Sequence, residues 1–138
     1  MTRYLIDTNV VSELRRTKPH GAVVAWTQTL KPDQMFLSAV TIGELQRGVE
    51  LTRRTDPRKA TEIENWLNQV ENSYAVLPMD SYCFREWARL MRDNPPQLLE
   101  DGMIAATAKI HGLEVASRNE ADFHQFRVIV LNPFKYVG

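Results

Sequence analysis

The sequence has a single cysteine, no long apolar segment and no net charge. Cys83 is the only cysteine among 138 residues, which excludes an internal disulfide or a cysteine-rich zinc site and fits a reducing compartment. The longest uninterrupted apolar run is Ala22–Trp26, far short of the roughly 18 residues that a membrane-spanning helix needs. The N-terminal segment reaches Asp7 before an apolar signal-peptide core can form. These features predict a cytoplasmic protein that does not associate with a membrane.

The charges are balanced, because 17 Lys and Arg residues match 17 Asp and Glu residues. Proteins that coat nucleic acid without a specific site are normally basic. A nucleic-acid role for this chain must therefore come from a localised site. The length and the ordinary globular composition, 43% hydrophobic and 25% charged, predict one folded domain spanning residues 1–138.

Short apolar runs alternate with longer helical patterns along the chain. Strands that alternate with helices need crossover connections, so the pattern predicts an α/β fold with a parallel sheet between two helical layers. In such sheets the functional crevice lies beyond the carboxyl ends of the strands. The predicted strands are Tyr4–Ile6, Met35–Leu37, Ala75–Leu77, Glu114–Ala116 and Val128–Leu131. The predicted helices cover 8–16, 20–30, 40–54, a segment that opens at Pro57, 80–93, 98–111 and a short stretch between the last two strands.

Two aspartates occupy positions that an ordinary surface acid fits poorly. Asp7 follows the first predicted strand directly, although it is also a good N-cap for the next helix. Asp101 shares its helical face with Ile104, Ala105 and Ala108, which are small or apolar. An ionised carboxylate on a packed face is costly unless it is paired or bound to a metal ion.

Glu44 and Asp122 are weaker candidates when each is considered alone. Glu44 lies beside the apolar stripe of its helix, and Asp122 follows the fourth strand, where it is also able to cap a short helix. Together with Asp7 and Asp101 they form a set of oxygen ligands with no neighbouring Cys or His, which suits Mg²⁺ or Mn²⁺ and not zinc. A divalent ion held by carboxylates is a typical catalytic centre for the hydrolysis of phosphodiesters.

Several sequence blocks that contain the candidate acids or lie at the end of a predicted strand occur one after another along the chain. They are Leu5–Glu13, Ser38–Gly48, Asp101–Ala108, Ala116–Asn119 with Asp122 and Phe123, and Val130–Phe134. In this order they resemble the motifs of PIN-domain ribonucleases, and most closely those of the FitB-like subgroup of VapC toxins. The resemblance covers residues 4 to 134.

The resemblance implies a PIN-like α/β/α domain with a five-stranded parallel sheet. It implies an endoribonuclease that hydrolyses RNA phosphodiester bonds with Mg²⁺ or Mn²⁺, acting as the toxin of a type II, VapBC-like toxin–antitoxin system. It further implies a homodimer that is inhibited by a small VapB- or FitA-like antitoxin. Operator DNA would be bound only through that antitoxin.

The resemblance also assigns roles to particular residues. The metal-binding and catalytic acids would be Asp7, Glu44, Asp101 and Asp122. Many FitB-like proteins have Asp directly after the Arg of the last block, where this chain has Asn119, so Asp122 is the available fourth acid. The residues expected to hydrogen-bond around these acids are Thr8, Asn9, Ser117 and Asn119.

Two other classes of function are compatible with an α/β domain of this size. A response-regulator receiver would need an acid pair after the first strand and a phosphoacceptor Asp after the third, where this chain has Pro78. A catalytically silent PIN-fold module that acts through its protein partner is the second alternative. A nuclease assay with and without Mg²⁺ separates that module from the enzyme.

Basic residues cluster in two loops near the acidic blocks and along one helical face. We expect the loops either to be solvated surface or to steer phosphate towards the acidic crevice. The helical face is expected to be solvated or to contact RNA or the antitoxin. The loops contain Arg15, Arg16 and Lys18, and Arg53, Arg54, Arg58 and Lys59; the face contains Arg85, Arg89 and Arg92.

Overall fold

The structure is a computed structural model that describes residues 1–138, and its elements follow the predicted order. The strands are β1 (Tyr4–Ile6), β2 (Met35–Ser38), β3 (Ala75–Leu77), β4 (Glu114–Ala116) and β5 (Val130–Leu131). The helices are α1 (Thr8–Arg15), α2 (Gly21–Gln28), α3 (Ala39–Arg53), α4 (Pro57–Ser73), α5 (Ser81–Met91), α6 (Leu99–His111) and α7 (Glu120–Gln125). None of these helices has both the length and the apolar character that a membrane span requires.

The five strands form one parallel sheet in the order β3-β2-β1-β4-β5. Strand β1 lies at the centre, where Leu5 is paired with Phe36 on one side and Val115 on the other. The predicted α/β class with a five-stranded parallel sheet is therefore confirmed. Strand β5 is shorter than the predicted Val128–Leu131, because the chain turns at Arg127, which has φ 58°, and Val128 is buried in the core.

The sheet buries apolar side chains on both faces. Successive side chains along a strand point to opposite faces, and β1 shows this directly, since Leu5 and Ile6 belong to different core clusters. The Leu5 cluster includes residues of α6 and α7, and the Ile6 cluster includes residues of α1 and α2. Fully burying a side chain of this size contributes about 1.5–3 kcal/mol. The two helical layers are therefore each held to the sheet by their own core.

Helices α3 and α4 pack against each other through a separate small cluster, formed by Val49, Ala60 and Leu67. An ion pair between Arg53 Nη2 and Glu64 Oε1, 2.9 Å apart, links the same two helices. Helix α3 begins where β2 ends, and the Ser38 hydroxyl accepts a hydrogen bond from the Val40 N–H at 3.0 Å. This start places Glu44 in the second turn beyond the edge of the sheet.

Three polar residues mark the carboxyl ends of neighbouring strands. Asp7 follows β1, Ser38 ends β2 and Ser117 follows β4, and all three are buried. Because the strands are parallel, these ends meet at one edge of the sheet. This is the edge where the parallel topology predicts the functional crevice.

Gly112 ends α6 in the left-handed conformation, with φ 66° and ψ 38°. A β-carbon there would meet no atom within 4 Å, so the cost of adding one is conformational. We expect Gly112→Ala to lower the free energy of unfolding by about 1–2 kcal/mol. Gly43→Ala, inside α3 and equally open, should leave it unchanged or raise it by up to about 1 kcal/mol. Urea unfolding of the two variants measures both effects, and equal shifts would contradict the role given to Gly112.

Candidate active site

Asp7 is the most deeply buried acid at this edge, with only 4% of its surface exposed. Its Oδ1 accepts a hydrogen bond from the Thr8 N–H at 2.8 Å. Its Oδ2 accepts one from the Ser117 hydroxyl at 2.7 Å and one from Asn9 Nδ2 at 3.2 Å. Burial raises the pKa of Asp7, and these hydrogen bonds oppose the rise. The carboxylate is therefore fixed in one orientation by groups from α1 and from the end of β4.

Ser117 connects Asp7 with the segment that leads into α7. Besides donating to Asp7, its Oγ accepts hydrogen bonds from Asn9 Nδ2 at 3.2 Å and from the Asn119 backbone N–H at 2.9 Å. The Asn119 side chain is exposed and forms no hydrogen bond, so this residue joins the network through its backbone. Thr8, Asn9 and Ser117 thus form hydrogen bonds to or beside Asp7, and the roles given to them and to the Asn119 side chain stay predictions.

Asp101 and Asp122 come together from the first turns of α6 and α7. Burial, followed by the charges of Asp7, Asp122 and Glu100, raises the pKa of Asp101 to about 6. The carboxyl group of Asp122 lies within hydrogen-bonding reach of Asp101. The helical face that Asp101 shares is packed into the core, as its sequence pattern predicts, since Ile104, Ala105 and Ala108 are all buried.

Glu44 approaches the same crevice from α3. Its Oε1 accepts a hydrogen bond from the Thr8 hydroxyl at 2.9 Å, and the Thr41 hydroxyl lies 3.1 Å from that of Thr8. Burial, the adjacent carboxyl group of Glu100 and the charge of Asp7 raise the pKa of Glu44 to about 7, against the opposing bond from Thr8. The Glu44 carboxyl group therefore holds its proton more tightly than an ordinary glutamate, which suits an acid that accepts and releases a proton near neutral pH.

Sequence reasoning missed two residues of this arrangement. Glu100 is exposed at the start of α6 and lies within hydrogen-bonding reach of Glu44. Thr41 is fully buried on α3, three residues before Glu44, and contacts Thr8. The adjacency of Glu100 to Asp101 and the one-turn spacing of Thr41 and Glu44 are the only sequence signals that point to them.

The donor groups of the crevice match those of a hard divalent cation. Asp7, Asp101, Asp122 and Glu44 supply carboxylate oxygens, and Mg²⁺ and Mn²⁺ prefer such ligands. No group of three or more His, Cys, Asp or Glu side chains is already arranged to hold a metal ion. Burial and then the neighbouring carboxylates nevertheless raise the pKa of Asp101 and of Glu44, and a bound cation would lower both pKa values. The residues present therefore fit such an ion by their chemistry.

A surface groove of about 440 Å³ borders the acids on the α3 side. Glu44 and Glu100 lie at its charged end, and Val40, Leu51 and Met103 give it an apolar floor. Arg47 also lines the groove, so Glu44 meets solvent beside both apolar and basic side chains.

We expect Asp101→Asn to leave the metal-free protein as stable as the parent or more stable. The pKa of Asp101 is raised from 3.8 to about 6 in the folded protein, so ionising it opposes folding. That cost is absent below pH 3.8 and complete above about pH 6. In EDTA at pH 7.5 the free energy of unfolding of the variant should exceed that of the parent by on the order of 1 kcal/mol, after allowance for solvent screening. At pH 3.5 the variant and the parent should have the same free energy of unfolding.

Thermal unfolding with EDTA at the two pH values measures this effect. Glu62→Gln, which changes an exposed acid of α4, is the matched control and should show no gain at either pH. A loss of several kcal/mol in Asp101→Asn at pH 7.5 would mean that Asp101 is a structural residue of the α6 start.

Similar proteins support one assignment for this fold and site. Residues 4–129 match the PIN domain family. Toxin FitB of Neisseria gonorrhoeae is 36% identical over 137 residues, covering 94% of this chain and 97% of that protein. VapC ribonuclease Y4jK of Sinorhizobium fredii is 35% identical over 138 residues, covering 95% of this chain and 97% of that protein.

The crystal structure of FitAcB from Neisseria gonorrhoeae is similar in three dimensions, with a TM-score of 0.86 at 34% identity. The match covers 96% of this chain and 99% of that chain. The fold, the order of the motifs and the full-length similarity agree. The chain therefore belongs to the PIN domain family, in the FitB-like group of VapC toxins that its sequence motifs resemble.

Proposed function

We propose that this protein is a metal-dependent endoribonuclease and the toxin of a toxin–antitoxin pair. The observation that carries the proposal is the convergence of Asp7, Glu44, Asp101 and Asp122 at the carboxyl edge of the sheet, where the pKa of three of them is raised. The names of the relatives, a toxin and a VapC ribonuclease, support the same activity. The substrate class is RNA.

Asp7, Asp101 and Asp122 would hold a Mg²⁺ or Mn²⁺ ion, and Glu44 would complete the set or act as a base. When bound, such an ion activates water, screens the phosphate charge and stabilises the leaving oxygen. Asp7 suits the role of a fixed ligand because three hydrogen bonds set its orientation. Groups that orient metal ligands in this way typically matter 10- to 100-fold for affinity or activity.

Glu44 is the residue best placed to handle the proton of the attacking water. Its pKa of about 7 lets it accept a proton at neutral pH, and the Thr8 hydroxyl holds its Oε1 in place. In the proposed reaction the water oxygen attacks phosphorus, its proton passes to the Glu44 carboxylate, and the P–O bond to the next nucleotide breaks. The leaving ribose oxygen then takes up a proton from solvent or from Glu44. The groove beside Glu44 would receive the RNA chain.

We expect Glu44→Gln to reduce RNA cleavage by about 10²–10⁴-fold, the usual contribution of a general base. Asp101→Asn should lose at least as much, because it removes a ligand charge. EDTA should abolish cleavage by the parent, and Mg²⁺ or Mn²⁺ should restore it. Cleavage of a labelled RNA measures all of these, with Glu62→Gln as the control that keeps full activity.

Two results would count against the proposal in different ways. Cleavage that survives both EDTA and Asp101→Asn would move the chemistry away from these acids. A parent protein that binds its partner but cleaves no RNA with either metal would favour the catalytically silent PIN-fold module.

A small antitoxin is the proposed protein partner, and operator DNA would be bound only through it. A crevice lined by several carboxylates attracts a cation, and the planar fork of Arg pairs with carboxylates in bidentate fashion. We expect an Arg or Lys of the antitoxin to enter the crevice beside Asp7 and Asp101. A structure of the complex tests this, and a partner that stays away from both residues would refute it.

A homodimer is the proposed assembly, and α5 carries an apolar surface suited to it. Phe84 is 44% exposed on α5, and Leu99 is 42% exposed at the start of α6. Phe84 packs edge-on against Trp87, whose indole N–H donates to the Leu99 carbonyl, so this surface continues onto α6. We propose that a second copy of the chain covers it.

Light scattering at micromolar concentration should give twice the 15.9 kDa chain mass. Changing Phe84 and Leu99 to Ser should shift the protein towards monomer. Ile129→Ser removes an apolar side chain that is 67% exposed beside β5, and it should leave the assembly unchanged. A parent that is monomeric across this range would contradict the dimer.

A further inference from the structure

A second pocket, away from the carboxylates, is lined almost entirely by cationic side chains. It has a volume of about 530 Å³ and is formed by Arg15, Arg16, Thr17, Lys18 and Lys59. The first four residues end α1 and begin the loop after it, while Lys59 belongs to the first turn of α4. The fold therefore brings together the two basic loops, which lie some 40 residues apart in sequence. We call this group the basic pocket.

Most of the positive charge of the basic pocket is not neutralised within the protein. Arg16 contacts Glu13 at 3.4 Å, and its side chain remains 68% exposed. The Arg15 guanidinium lies 5.9 Å from the centre of the Trp66 ring and forms no ion pair. Lys18 and Lys59 are exposed and form no ion pair, and the pocket lining contains no acid. Three of the four cations have no ion-pair partner and the fourth is only partly neutralised by Glu13, so the pocket is suited to an extended anion.

Helix α1 connects the basic pocket to the candidate active site. It begins directly after Asp7 and ends at Arg15, a span of about 12 Å at 1.5 Å per residue. A single anion in the pocket would be too far from the carboxylates to react. A chain of phosphates is able to reach both places at once.

We propose that the basic pocket binds the phosphate backbone of the RNA substrate, several nucleotides away from the bond that is cleaved. The inference rests on the proposed function, since it assigns the substrate contact of the same enzyme. The pocket attracts the polyanion that the acidic crevice would otherwise repel. It thereby supplies affinity, while the carboxylates supply the chemistry.

Another cationic surface, between α5, α6 and α7, is less suited to this role. Its cations are Arg89, Arg92, Lys109 and Arg127, but Asp93 is also part of the lining. Arg89 is paired with Glu86 at 3.0 Å, and Arg92 is 3.4 Å from Asp93. Part of its charge is therefore already neutralised, which makes it a suitable control surface.

The test compares two variants that each replace four cations with Gln. The pocket variant changes Arg15, Arg16, Lys18 and Lys59, and the control variant changes Arg89, Arg92, Lys109 and Arg127. Fluorescence anisotropy measures the binding of a single-stranded RNA oligonucleotide, in EDTA to prevent cleavage, over a series of salt concentrations. Each phosphate contact contributes about 0.7 to the slope of log affinity against log salt.

We expect the pocket variant to bind RNA at least tenfold more weakly and its salt slope to fall by up to about 3. The control variant carries the same change in net charge and should keep both values near those of the parent. In cleavage assays with Mg²⁺ the pocket variant should raise KM more than it lowers kcat. The double variant Lys18→Gln/Lys59→Gln changes only two exposed side chains, should fold like the parent, and should show about half the change in slope.

An unchanged slope in both the pocket variant and the double variant would overturn the inference, while leaving the proposed cleavage activity intact. An equal loss in the control variant would also overturn it, since the effect would then be one of net charge. A parent that binds RNA but cleaves none would count against the proposed activity instead, and the slopes would still decide the role of the pocket.

Discussion

The buried carboxylate of Asp7 is the constraint on which the rest of this edge depends. A charged group with 4% exposure is tolerable only if hydrogen bonds replace the water it has lost. The donors are the backbone of Thr8, the side chain of Asn9 and the hydroxyl of Ser117, which is 110 residues away in sequence. One buried charge thus fixes how α1 leaves β1 and how β4 ends beside it. The other acids reach this edge from α3, α6 and α7.

Repulsion among the further acids at this edge destabilises the folded state. The apolar core must supply enough stabilisation to exceed that repulsion. Two carboxylates about 4 Å apart repel by roughly 4 kcal/mol at an effective dielectric of 20, which is a large fraction of the 5–15 kcal/mol by which a domain is stable. The fold reduces this energy by keeping part of the cluster protonated, as the raised pKa values of Glu44 and Asp101 indicate. Apolar clusters on both faces of the sheet supply the opposing stabilisation. The site is thus built to favour positive ligands, whether an ion or a side chain of a partner.

The sequence predicts those parts of the structure that leave a local pattern. Asp7 follows an apolar strand and Asp101 starts an apolar helical face, so both are visible without a structure. The parallel sheet is likewise predictable, because its strands and helices alternate along the chain. Glu44 lies at the boundary of its helical stripe, and its position was ambiguous because it depends on contact with Thr8, 36 residues earlier.

The residues that sequence reasoning missed depend on packing between distant elements. The adjacency of Glu100 to Asp101 is a weak signal, because Glu100 meets Glu44 only where α3 passes the start of α6. The basic loops were visible as composition, but their union in one pocket requires the fold.

The length of α1 has a consequence for the proposed RNA substrate. Eight helical residues, about 12 Å, separate the acids from the basic pocket, a distance that a single phosphate does not span and a chain of nucleotides does. The residue count of one short helix would then set the shortest RNA that can occupy both places, so fragments below that length would escape further degradation.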